Sequence, residues 1–321
     1  MLKKCFCLFL GLVCLFACLT VCGCKASDGE TPTETESESE SATEVQTEEQ
    51  SNEVQVVVLL GQSNAEGHTW HEYLNQSVGV TKTKRYIAGF RDVLICYENS
   101  MGHNSSNGEF VPVKIGQGYE QTRMGPEVGM AEVLSDAHLK TPVYIIKYAY
   151  GGTSLSHGWC SPSSGSTGEL YAGAVDYILA QCEKLENMGL RPVIKAICWM
   201  QGETDATGEY FDRYEELERL FVTDLRQDLS GYSEPEQEIG FVDAGISECT
   251  LWKQYKVINS AKQALAEEDD RHTYIDTIAA GLKFNREPSG SIDISHYDSA
   301  SELLLGQLFG EVLLAEYLQV N

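Results

Sequence analysis

The sequence predicts a three-layer α/β/α sandwich with a central, mainly parallel sheet, and three observations carry that expectation. From Val54 onward, apolar runs of strand length alternate with longer helical patterns, as in a parallel sheet covered by helices. The first run, Val54–Leu60, reads VQVVVLL, and so unbroken an apolar stretch fits a strand buried on both faces. No repeat of 20–50 residues is visible, which argues against a solenoid. The roughly 270 residues of this region therefore read as one α/β domain.

Before that domain come two segments of different character. Residues 1–24 begin with Lys3 and Lys4 and continue in an apolar run from Cys5 to Val21, the pattern of a secretory signal peptide. A membrane-spanning anchor is the other reading, since roughly 17 apolar residues lie at the short limit for a ~30 Å hydrocarbon core. Val21-Cys22-Gly23-Cys24 resembles a bacterial lipoprotein cleavage site, with Cys24 as the lipid-bearing residue. That resemblance implies an extracytoplasmic, cell-surface lipoprotein that meets the membrane only through its N-terminal lipid. Residues 25–53 are a Ser/Thr/Glu tract with almost no aliphatic or aromatic side chain, so they are expected to form an acidic disordered tether.

Within the domain, residues 54–321, strands are expected at Val54–Leu60, Val93–Tyr97, Val143–Tyr148, Ile194–Trp199, Ile239–Val242 and Thr273–Ile275. Helical patterns run over Pro126–Ala137, Leu170–Asn187, Tyr210–Leu229, Lys253–Ala266 and Ala300–Tyr317. Ser299 and Glu302 fit a capping box at the start of the last helix. On such sheets ligands bind at the carboxyl ends of the strands, so the residues just after each strand are the ones to inspect.

Charge and cysteine content narrow the function classes. Of the total net charge of −25, residues 1–24 carry +2 and residues 25–53 carry −9, which leaves −18 for the domain. A field of that sign repels nucleic-acid phosphates, so no nucleic-acid partner is expected. The one basic cluster, Lys82, Lys84 and Arg85, reads as solvated surface. Six of the eleven cysteines lie in residues 1–24, and the remaining five have no C-x-x-C spacing. A structural zinc site is therefore not expected, although one disulfide is permitted by that number.

Chemistry concentrates after four strands. Gly61-Gln62-Ser63-Asn64 follows the first, where a serine on a strand-to-helix turn is either a nucleophile with its own N–H free or a helix cap. Gly151-Gly152-Thr153-Ser154 follows Val143–Tyr148, where glycines let backbone N–H groups approach an anion or simply make a tight turn. Trp199-Met200-Gln201-Gly202-Glu203-Thr204-Asp205 offers the Gln201 amide to an oxyanion, while Glu203 and Asp205 are either catalytic acids or the start of a helix. Just before the last helix, Asp293 precedes His296 by three residues, a spacing that can set a carboxylate against imidazole Nδ1. His68, His71, His103, His138, His157 and His272 read as surface or packing residues.

Taken together, GQSN, YGGTS, WMQGETD and Gly125-Pro126-Glu127 opening a helix resemble the SGNH-hydrolase superfamily, in its sialate O-acetylesterase and acetylxylan esterase branch. The resemblance spans the domain from Val54 to the final helix. It implies a flavodoxin-like fold and a serine esterase that removes O-acetyl groups from carbohydrate through an acetyl-serine intermediate. It also implies Ser63 as nucleophile, His296 as base, and oxyanion donors at Ser63, Gly151 or Gly152, and Gln201. Asp293 and Glu203 are alternative orienting acids. Gln62, Asn64, Thr153 and Trp159 are expected to contact substrate, an acetylated carbohydrate. No metal and no organic cofactor is called for. Ala65 departs from the methionine common after GQSN, and Ile294-Ser295 departs from the pair usual before the histidine. Two other functions remain open: a lysophospholipase or thioesterase on the same scaffold, and a surface lipoprotein that binds carbohydrate without catalysis.

Overall fold

A computed structural model describes residues 52–288 and 292–319. The expected signal peptide with Cys24, and all but the end of the expected tether, lie outside those residues. Glu53, counted with the tether, opens the first strand instead, and its carboxylate meets Lys195 Nζ at 3.1 Å as well as Arg191.

The six expected strands are present as β1 (Glu53–Gly61), β2 (Phe90–Asn99), β3 (Val143–Ala149), β4 (Arg191–Met200), β5 (Gly240–Ala244) and β6 (His272–Ile275). They pair in the order β6-β5-β4-β1-β3-β2, all parallel. Two short strands, Asn104–Ser105 and Val111–Val113, add antiparallel pairing to β2. Val56 to Leu60 are fully buried, as the unbroken apolar run requires of a strand covered on both faces. The chain leaves β1 for β2, returns to β3, then crosses β1 to reach β4, so β1 stands where the strand order reverses. Such a switch point is where open α/β sheets bind ligands. The register sharpens this: Asn99, Ala149, Gly61, Met200, Ala244 and Ile275 are aligned partners across the sheet, so all six strands end flush.

The main helices are α1 (Ser63–Glu66), α2 (Val80–Ala88), α3 (Glu127–Asp136), α4 (Glu169–Asn187), α5 (Tyr214–Asp228), α6 (Tyr255–Glu268) and α7 (Ser299–Val312). The helix expected from Tyr210 begins later, after a 3₁₀ turn at Phe211–Arg213, and α7 is followed by a π-helical turn at Leu313–Tyr317. The basic cluster lies on α2, where Lys82 and Arg85 pair with Glu132 and Asp136 of α3 at 3.1 and 2.5 Å. The capping box does not form. Asp298, one residue earlier, caps α7 by accepting the Ser301 N–H at 2.8 Å, and Ser299 Oγ donates to Glu287 at 2.7 Å. Glu302 cannot reach back because it points into the fold, fully buried with both oxygens unpartnered. Helices α3 and α7 touch backbone to backbone: a Cβ on Gly129 would fall 2.0 Å from Leu303 O, and one on Gly306 would fall 1.9 Å from Pro126 O.

A small hairpin of β7 (Phe284–Asn285) and β8 (Asp293–Tyr297) stands apart from the main sheet and precedes α7. The disulfide that five cysteines would permit is not formed among the described residues. Cys96, Cys160, Cys182, Cys198 and Cys249 are all buried free thiols; Cys182 and Cys198 pack in the apolar core, while Cys160 Sγ donates to His157 O at 2.8 Å and Cys249 Sγ to Ile294 O at 3.3 Å.

Candidate active site

Ser63 begins α1 directly beyond β1. Gly61 makes the turn possible: its φ is +145°, and a Cβ there would sit 2.1 Å from Met200 O. The Gln62 N–H donates to that same carbonyl at 3.0 Å, which fastens the turn to the end of β4. The Ser63 N–H itself has no partner among the described residues. Ser63 opens onto a cleft of about 840 Å³ at the carboxyl edge of the sheet, which His296, Gly152 and Glu203 also line.

His296 reaches this cleft from β8, not from a turn of the main sheet. Its Nδ1 lies 2.7 Å from Asp293 Oδ2, while Asp293 Oδ1 accepts the Ser295 N–H at 2.8 Å and the His296 N–H at 3.2 Å. Burial alone would raise the Asp293 carboxyl, but the hydrogen bond and charge of His296, with those two N–H groups, hold it below the usual range. Asn64, next to Ser63, clamps the same strand: its Nδ2 donates to Ser295 O at 3.3 Å and its Oδ1 accepts the Tyr297 N–H at 3.4 Å. Ser63 and His296 thus line one cleft without a direct hydrogen bond between them.

Three expected oxyanion donors lie beside Ser63 in different states. The Gly151 N–H is taken, donating to Glu66 Oε2 at 3.0 Å. The Gly152 N–H has no partner among the described residues, and at φ +71° a Cβ there would meet nothing within 4 Å. Gln201 is fully buried, and its Nε2 faces Gln62 Oε1 at 3.2 Å, Thr153 O at 3.0 Å and Asp205 Oδ2 at 2.6 Å. Two amide hydrogens before three acceptors leave none for a substrate. Gln201 therefore ties the β3 and β4 loops together. Asp205 reinforces the tie by accepting the Leu155 N–H at 2.9 Å and the Ser156 N–H at 3.2 Å.

The expected substrate contacts divide in the same way. Gln62 lines the cleft, its Oε1 also accepting the Thr204 N–H at 3.3 Å. Asn64 is buried and its amide is engaged within the protein, since Nδ2 also donates to Glu203 Oε1 at 2.7 Å. Thr153 Oγ1 accepts from Trp159 Nε1 at 2.8 Å. Trp159 is no sugar platform: it is fully buried, edge-on to Trp199 at 5.2 Å between ring centroids. A large apolar ring on the loop after the β3 glycines simply joins the core. Glu203 lines the cleft but is hydrogen-bonded to Asn64, not to His296. Burial pushes its carboxyl up against the pull of the Asn64 hydrogen bond, and its Oε2 is buried without a partner.

The structure adds residues that the sequence reading placed at the surface or passed over: Glu66, His68, Ser100, His103 and Tyr119 all line the cleft. The spacing Ser63-x-x-Glu66, which one helical turn brings to one side, was the available signal for Glu66. Among the described residues no group of three His, Cys, Asp or Glu side chains is disposed to hold a metal ion.

A turn serine, an imidazole paired to a carboxylate, and free backbone N–H groups around one cleft are the parts of a carboxylic ester hydrolase. Residues 53–315 match the family described as carbohydrate esterase, sialic acid-specific acetylesterase. The fold is shared with a protein from Arabidopsis thaliana at 19% identity and TM-score 0.58, covering 82% of this chain and 99% of that one. It is shared with NanS at 16% identity and TM-score 0.57, covering 83% and 98%. A carbohydrate acetylesterase from Xanthomonas citri, XAC1771, aligns at 13% identity and TM-score 0.52, covering 81% of this chain and 56% of that one. No curated protein is a significant match in sequence. The chain belongs to the carbohydrate esterase family of sialic acid-specific acetylesterases, and it removes O-acetyl groups from carbohydrate.

Proposed function

We propose that deacetylation proceeds through an acetyl-enzyme on Ser63. His296 Nε2 takes the Ser63 Oγ proton as Oγ attacks the acetyl carbonyl, and Asp293 holds the ring through Nδ1 and stabilises the imidazolium. The N–H groups of Ser63 and Gly152 receive the oxyanion. The C–O bond to the sugar then breaks, the proton passes from His296 to the sugar oxygen, and a water deprotonated by His296 releases acetate. The observation that carries this reading is the single cleft into which Ser63, His296 and the unpaired Gly152 N–H all open. The test is acetate release by S63A: loss of at least about 10³-fold is expected for a missing nucleophile, and a wild-type rate would end the scheme. Labelling by a fluorophosphonate probe, lost in S63A, distinguishes an esterase from a pure carbohydrate binder.

The substrate is best read as an acetylated neutral glycan such as acetylxylan. Among the described residues no Lys or Arg lines the cleft, two carboxylic side chains do, and the domain carries −18. A sialic acid would bring a carboxylate to that surface with no cation to meet it. Leu251 is the one sizeable aliphatic side chain among the lining residues, beside the rings of Tyr119, Tyr150 and Trp252, a lining that suits a sugar ring better than a long acyl chain. Acetate release from acetylxylan should exceed that from O-acetylated sialic acid, and acetyl esters should be cleaved faster than decanoyl esters. The reverse order in either comparison would refute the assignment. The N-terminal sequence supports export, lipidation at Cys24 and display on residues 25–53, a reading that predicts palmitate labelling in the wild type and none in C24A.

A further inference from the structure

We propose that His68 is a positioning residue for the reaction: locked by Glu66, its ring sets the plane of the His296 imidazole. The inference rests on the reading of His296 as the general base. Asp293 holds the imidazole at one atom, and a ring held by one hydrogen bond can still turn about it. The Asp293 side chain is also 36% exposed, so water competes for its oxygens. The plane of the ring is set from another direction. His68 lies face to face with His296, centroids 4.6 Å apart and planes 13° from parallel.

His68 is fixed on every other side. Its Nε2 lies 2.8 Å from Glu66 Oε2. Its second face stacks on Tyr119 at 4.6 Å and 20°, and Tyr119 stacks in turn on His103 at 4.3 Å and 18°. Its backbone carbonyl accepts from Arg123, whose guanidinium lies 3.3 Å from the centre of the Trp70 ring. Glu66 is fully buried and also accepts from Ser100 Oγ and the Gly151 N–H. One carboxylate therefore fixes both the ring beside the base and the glycine turn beside the nucleophile. The fit is close: a Cβ on Gly151 would fall 2.9 Å from Glu66 Oε2, 3.2 Å from His68 Nε2 and 3.5 Å from Ser63 Cβ.

The charges around the two rings allow this role. Burial keeps His68 below the ordinary histidine range, its Glu66 hydrogen bond opposes that, and His296 and Arg123 add to the lowering. The lowering favours the neutral form of His68, so the stack does not set two like charges face to face. His296 faces the Asp293 carboxylate on its other edge and the Glu203 carboxyl across the cleft.

The experiment compares wild type, H68A, H68F and H296A by acetate release from about pH 5 to 8. H68A should lose about 10- to 100-fold in kcat, the scale of a misplaced catalytic group, with KM little changed. H68F, which returns a flat ring to stack on His296, should recover most of the rate. Wild-type kcat in H68A would overturn the inference. So would a loss in H68A that H68F does not repair, because that is a merely structural effect. An active H296A would overturn the base assignment and the inference with it; an inactive H296A beside an unimpaired H68A would overturn the inference alone.

Discussion

Two acids lie near His296, the proposed base, and replacing each by its amide separates their roles. Asp293 accepts three hydrogen bonds, from His296 Nδ1 at 2.7 Å and from the backbone N–H groups of Ser295 at 2.8 Å and His296 at 3.2 Å. In D293N the retained oxygen can still take the backbone bonds, but the new NH₂ then faces Nδ1. That drives the ring proton to Nε2, the nitrogen that must accept from Ser63. A hydrogen bond to a charged group contributes about 1.5–3 kcal/mol, and each 1.36 kcal/mol is tenfold in rate. The partly exposed Asp293 should therefore be worth about 10- to 100-fold in kcat. Glu203 makes no hydrogen bond to His296 and interacts with it through charge alone. In E203Q the side-chain oxygen still accepts from Asn64 Nδ2, and because burial already favours the neutral acid, the amide is close to its isostere. Its rate should fall only a few-fold, since amides can replace neutral acids at similar volume. The assay is initial rates on an aryl acetate and an acetylated glycan near pH 7.5, with thermal melts of each variant. A loss of 100-fold or more in E203Q at unchanged Tm, beside a nearly intact D293N, would refute the reasoning.

Other residues give sharper tests of packing. W159A should cost about 3–5 kcal/mol, as for a buried aromatic, and lower Tm by roughly 6–15 °C, while KM of the folded enzyme stays near wild type; a large KM change at unchanged Tm would restore Trp159 to the substrate site. N64A removes three hydrogen bonds at 2.7, 3.3 and 3.4 Å, each worth about 0.5–1.5 kcal/mol, and should lower both Tm and kcat; unchanged values of both would show that the clamp on β8 is idle. E302Q tests a buried acid that desolvation and then Glu127 push well above its ordinary value. Its folded form keeps a proton that the unfolded chain releases, so its stability is fullest below the unfolded pKa and declines as pH rises towards the folded one. E302Q should melt higher than wild type at pH 8 and equally near pH 4; equal melting at both would exclude that penalty.

The fold was largely legible because the parallel strands are buried on both faces, and VQVVVLL can be little else. Helix α2 was not, although Lys82, Lys84 and Arg85 do lie at the surface as expected, two of them paired with α3. The serine turn was legible because strand ends and function coincide on such sheets. The Asp293–His296 spacing was less decisive than it looks: Asp269 stands likewise three residues before His272. His272 opens β6 at the amino edge, far along the strand from the flush carboxyl ends, and Asp269 instead bonds Arg226 at 2.6 Å. Position on the sheet, not spacing, separates the two histidines. Gln201 misled for a different reason. An amide at a strand end can always donate, and only the three acceptors around it reveal that it is already saturated. His68, Tyr119 and His103 carry no local pattern because their order comes from stacking between segments distant in the chain.

The main sheet can supply a nucleophile and N–H donors, because the β1 and β3 loops are neighbours at the switch point. His296, the proposed base, comes from the hairpin of β7 and β8, which pairs within itself and whose place beside the main sheet no ladder of hydrogen bonds fixes. The bonds between that hairpin and the segment around Ser63 do this work instead: Asn64 to Ser295 and Tyr297, and Thr69 Oγ1 to Tyr297 O at 2.7 Å. Asn64 suits the task chemically. Its two amide hydrogens meet two acceptors, Glu203 and Ser295 O, and its oxygen meets one donor, so only one orientation satisfies all three. Aspartate at that position would set a carboxylate against the Glu203 carboxyl, and an aliphatic side chain would leave a buried acid unpartnered. The residue after Ser63 is therefore constrained by β8 rather than by substrate, and it links Glu203 to the strand that carries His296.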